Sequence, residues 1–85
     1  MGVNLMQHKV DELERTIHNL AALARDLDLQ IKIEEKRARV TDPTQPEYPS
    51  LAASARERIA RLRASITRFE AELRGARRDL ADKGH

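Results

Sequence analysis

Eighty-five residues with no cysteine, no tryptophan, one tyrosine and one phenylalanine allow a single small domain. They exclude a disulfide scaffold and any thiolate metal site. Sixteen basic against fourteen acidic side chains give a net charge of only +2, so the composition is not that of a nucleic-acid-binding tail.

The N-terminal stretch Met1-Gly2-Val3-Asn4-Leu5 has neither a basic nor an apolar signal-peptide region. No run of about 18 apolar residues exists, so no membrane insertion is expected and the cytoplasm is the expected location. From there Met6, Val10, Leu13, Ile17, Leu20, Ala24, Leu27 and Ile31 recur at alternating steps of four and three. That mean spacing of 3.5 places an apolar seam along a helix, and a seam needs a partner helix. The first helix is predicted over about 5–40. Pro43 disfavours helical geometry at Asp42 and ends it.

A loop, 41–49, follows and carries all three prolines: Pro43, Pro46 and Pro49. Thr44 and Glu47 have the spacing of a capping box, but a helix begun there would carry Pro49 a turn inside. A start at Pro49 or Ser50 is therefore preferred. The second helix is predicted over about 50–83, with Gly84 past its end. Its seam is Ala52, Ala55, Ile59, Leu62, Ile66, Phe69, Leu73, Ala76 and Leu80. The two seams match in length. The fold class is all-α: a long antiparallel two-helix coiled-coil hairpin, with dimerisation into a four-helix bundle as its alternative assembly. Each helix spans about 50 Å at 1.5 Å per residue.

Charge selects the register. With Leu27 near Ile66, Ile31 near Leu62 and Ala24 near Phe69, one edge pairs Glu14 with Arg77, Asp28 with Arg63 and Glu35 with Arg56. A slide of one heptad brings Glu14 towards Glu70 and loses the set. Each exposed pair contributes only about 0.2–1 kcal/mol, so these pairs select more than they stabilise. On the opposite edge Arg37 approaches Arg58. Glu34 occupies a seam position and is expected to reach for water, towards Arg56 or Arg58.

Some aliphatic residues of the first helix lie off the seam. Leu29, Ile33 and Val40 form a second stripe, with Leu23 nearby, and such a stripe serves self-association or a partner helix. Residues 1–40 hold seven basic and seven acidic side chains, whereas residues 50–85 hold nine basic and five acidic. Arg61 and Arg68 join the stripe as candidate partner-binding residues.

Chemistry is sparse. His8 and His18 stand ten residues apart and cannot grip one metal from adjacent turns; they and His85 read as surface histidines. Asp11-Glu12 and Glu34-Glu35 are sequential pairs pointing to different helix faces. With glycine only at positions 2, 75 and 84, no phosphate loop exists. No catalytic residue, cofactor or metal site is expected, and the chain reads as a non-enzyme.

Residues 26–80 resemble the FliJ flagellar export family in its alphaproteobacterial form. The resemblance is carried by Asp26-Leu27-Asp28-Leu29-Gln30-Ile31, Glu34-Glu35-Lys36-Arg37-Ala38, Asp42-Pro43 and Tyr48-Pro49-Ser50-Leu51-Ala52. Ala55, Arg58, Leu62, Ser65-Ile66, Leu73 and Ala76 continue it. Members of that family are longer in both helices, so this chain looks like a short form. The resemblance implies a cytoplasmic coiled-coil stalk of type III export, with the export ATPase, the export gate and escort chaperones as partners. Two other functions compete with that adaptor reading. One is a dimeric hairpin that binds RNA through Arg61, Arg68, Arg74 and Arg78, which the lack of aromatics for base stacking disfavours. The other is a type III needle-like subunit with Pro43-Thr44-Gln45-Pro46 as its turn. Arg77, Arg78, Asp79, Asp82 and Lys83 make the C-terminal end too charged for that packing.

Overall fold

The computed structural model describes residues 2–83. Helix α1 runs from Gly2 to Ala38 and helix α2 from Ser50 to Lys83. They lie side by side as an antiparallel hairpin 59 Å long and 17 × 13 Å across. Gly84 and His85 lie outside the described residues. No described helix is long and apolar enough to cross a membrane.

Every seam position expected from the heptads is buried or half-buried. The core divides into two clusters. Near the loop, Leu27, Ile31, Tyr48, Ala52, Ala55 and Ile59 pack together, with Val40 and Leu62 against them. Towards the open end, Val10, Leu13, Leu73 and Ala76 form the second, supported by Ile17, Phe69 and Leu80. Between them Leu20, Ala24 and Ile66 are only half-buried. A two-helix layer covers each seam from one side, so no large side chain is sealed completely from water.

The ion pairs settle the register. Glu14 Oε1 meets Arg77 Nη2 at 3.0 Å, and Glu35 Oε2 meets Arg56 Nη2 at 2.9 Å. Both belong to the expected edge. The third pair of that edge does not form, because Asp28 binds Lys32 at 3.3 Å one turn along its own helix. Glu34 likewise turns to Arg37, at 3.3 Å, and not to Arg56 or Arg58. In both cases a partner three or four residues away on the same helix is within reach whatever the other helix does.

Helix α1 extends to Gly2 at its start and stops at Ala38, two residues before Val40. Arg39 adopts a left-handed conformation, φ 59°, and the Val40 N–H donates to the Glu35 carbonyl at 3.2 Å. This is a Schellman stop, in which the reversed residue lets the chain satisfy a carbonyl the helix leaves open. Glycine usually fills that position because a Cβ is disfavoured there. Lys36 and Arg37 in the last turn complement the negative end of the helix dipole.

Two successive turns then carry the chain across. The Gln45 N–H donates to the Asp42 carbonyl and the Tyr48 N–H to the Gln45 carbonyl, each at 3.1 Å. Pro43 and Pro46 each follow the first residue of a turn, where the fixed proline φ is pre-set for it. Asp42 Oδ1 accepts from the Thr44 N–H at 2.9 Å and from its hydroxyl at 2.7 Å. Thr44 thus braces the turn and caps no helix. The Pro49 carbonyl accepts from the Ala53 N–H at 3.0 Å, which makes Pro49 the residue from which α2 starts.

Candidate functional site

The side chains outside the seam form two distinct arrangements, a polar clamp at the loop end and an apolar stripe with an adjoining groove.

Tyr48 sits one four-residue step before Ala52, so it continues the seam of α2 by one position although it belongs to the loop. Ala52 and Ala55 are small, and the ring fills the space they leave. The Tyr48 hydroxyl donates to Glu35 Oε2 at 2.7 Å and accepts from Arg56 Nε at 2.6 Å. Arg56 Nη2 reaches the same Glu35 oxygen at 2.9 Å. One residue from each of α1, the loop and α2 therefore closes a triangle. The guanidinium and the hydroxyl hold the Glu35 carboxyl below its usual range. The same contacts raise the Arg56 pKa, with the Tyr48 hydroxyl first and the carboxylate second. The Thr44 amide and hydroxyl hold Asp42 low in the same way. Glu35–Arg56 was legible from charge pattern. In the sequence Tyr48 stands out only as part of the Tyr48-Pro49 turn, and its heptad position is the signal that marks its place in the core.

The candidate partner-binding residues separate. Leu29 is 58% exposed and Ile33 55%, one turn apart on the side of α1 turned from α2. Leu23 is exposed to a lesser degree, 39%, nearer the seam. Val40 does not share the stripe. The helix has ended before it, and the Schellman stop folds it inward onto the loop-end cluster. Arg61 and Arg68 are both exposed on α2. The Arg68 guanidinium lies 5.5 Å from the centre of the Phe69 ring, so it shelters part of the seam. Sequence reasoning missed Leu51, 57% exposed in the first turn of α2.

A groove of about 490 Å³ opens beside Leu29, on the edge where Asp28 and Arg63 fail to pair. Its floor is Ala21, Ala24 and Ile66, and its rim carries Arg25, Asp28 and Arg63.

Of the histidines, His8 meets Glu12 at 3.1 Å in an exposed i,i+4 pair and His18 is exposed. Among the described residues no group of three or more His, Asp or Glu is placed to hold a metal ion. No family model matches the chain, and neither a curated protein nor a solved structure matches it. The likeness to the export family therefore rests on the residues quoted for it.

Proposed function

We propose that this chain is a non-catalytic coiled-coil adaptor that binds other proteins, of the flagellar or type III export class, working in the cytoplasm. The observation that carries this reading is the exposure of Leu29 and Ile33 on a helix whose seam is already occupied. Large aliphatics a turn apart, outside the core and next to a groove, match the way a helix presents anchors to another helix. The slender shape, 59 Å by 17 × 13 Å, suits a rod that reaches into or along a larger assembly. The export ATPase and the export gate are the partners that the family likeness nominates.

The test is retention of purified export ATPase and gate protein on the immobilised hairpin. The native chain should retain at least one of them. Leu29→Asp with Ile33→Asp should abolish retention while circular dichroism stays helical. Failure of the native chain to retain either removes the export assignment. Retention by the double variant removes the stripe.

A further inference from the structure

Glu14, Asp28 and Glu35 share one heptad position on α1, and Arg56, Arg63 and Arg77 share one on α2. This edge is closed at both ends, by Glu14–Arg77 towards the open end and Glu35–Arg56 towards the loop. It is open in the middle, since Asp28 is taken by Lys32. The opening coincides with the weakest part of the core, where Ala21 and Ala24 leave Ile66 half-covered. Among the described residues neither Arg25 nor Arg63 has a carboxylate within 4.0 Å. The result is an apolar floor between two arginines whose charge is unspent.

We propose that this mid-hairpin groove docks an acidic amphipathic helix, whose aliphatic anchors cover Ala21, Ala24, Leu29 and Ile66 and whose flanking carboxylates meet Arg25 and Arg63. This deepens the adaptor reading and rests on it, since it states what chemistry the partner must bring. Asp28 adds little repulsion because Lys32 neutralises it.

Charge also counts against the Leu29–Ile33 stripe of a second copy as the occupant. Leu5, Leu23 and Leu51 stand singly, whereas the chain's own pair of exposed aliphatics one turn apart is Leu29 and Ile33. Their neighbours three and four residues away are Arg25, Lys32, Lys36 and Arg37, against one acid, Asp26. A second hairpin would carry that basic border into a rim that already holds Arg25 and Arg63. A helix bordered by Asp or Glu gains from the same rim, and like charges brought together select against the wrong partner.

The experiment uses the whole chain and two labelled helical peptides with the same leucine anchors, one flanked by glutamate and one by lysine. Fluorescence anisotropy reads their binding. The glutamate peptide should bind saturably and weaken as salt rises to about 0.5 M, where exposed pairs are screened. The lysine peptide should bind at least about tenfold more weakly, and Arg25→Gln with Arg63→Gln should cost the glutamate peptide about tenfold, as two exposed pairs within their usual range would. Equal binding of both peptides, indifference to the double substitution, or no saturable binding of the glutamate peptide overturns the groove. So does a concentration-dependent dimer in light scattering that excludes the peptide, which would return the face to a second copy. If the Arg25→Gln, Arg63→Gln variant retains the export proteins as fully as the native chain, the groove fails while the adaptor reading stands.

Discussion

The two ends of this hairpin use the same heptad and hold together by different means. At the open end, four buried side chains and one ion pair join two helices that share no nearby connection. Both members of that pair are about half exposed, Arg77 at 56% and Glu14 at 48%. At the loop end the chain is continuous, two turns pre-set by prolines narrow its choices, and Tyr48 fills the core while its hydroxyl joins both helices. Here Glu35 is only 12% exposed. The difference teaches that a uniform seam does not give a uniform rod. Local closure and one well-placed aromatic concentrate stability near the turn, and the open end should fray first.

The largest effect that would break this contrast is at Tyr48. Tyr48→Ala removes the ring from the loop-end cluster and should cost roughly 3 kcal/mol, as deletion of a large core side chain does. Tyr48→Phe keeps the ring and should cost about 1–2 kcal/mol through the lost hydroxyl bonds. Urea denaturation of the two variants separates the parts. Equal losses would mean that the hydroxyl alone matters.

Next is packing. Ala52 is 0% exposed beneath the ring. Ala52→Leu should overfill the site and cost about 2 kcal/mol. A neutral result would show that the loop end is as loosely packed as the middle.

Acid sharpens the comparison further. Glu35 and Asp42 have pKa values lowered in the folded state, so each binds its proton less readily folded than unfolded. Their contribution is present above the ordinary carboxylate range, about 4, and is lost as pH falls through the folded values. Thermal melts from neutral pH down to acid should show the midpoint falling, and Glu35→Gln should flatten that fall while lowering the midpoint at neutral pH. An unchanged acid limb in the variant would remove the clamp as its source.

Smaller is the Schellman stop. Arg39→Gly relieves a left-handed residue that bears a Cβ and should stabilise by about 1 kcal/mol, read as a raised melting midpoint. Smallest is Glu14→Gln. An exposed pair of this kind should contribute no more than about 0.5 kcal/mol. Amide exchange should then show fast opening near Val10 and Leu73 in native and variant alike. A large loss would mean that the open end depends on its ion pair after all.

Much of this architecture is legible in the sequence. The seam residues, the hairpin, its register, the Pro49–Ser50 start and two of three edge pairs follow from periodicity and charge. Asp28 and Glu34 were misassigned because the pattern ranked pairs across the hairpin above pairs along one helix. Val40 was misassigned because a helical stripe was extended past a helix end that no glycine marked. The core role of Tyr48 is hidden in the sequence because a proline-rich loop conceals its heptad position.

What the sequence determined by itself is the part that repeats: period 3.5 dictates two helices, matched seams dictate their pairing, and alternating charge chooses one register among several. Only the tertiary structure decided the events that occur once. A non-glycine residue reversed the chain at Arg39, the loop tyrosine entered the core, and Asp28 left its partner and opened a groove. Periodic preferences add along a helix and so are legible in sequence. Single events depend on competition between neighbours of nearly equal energy, and only the packed geometry resolves it.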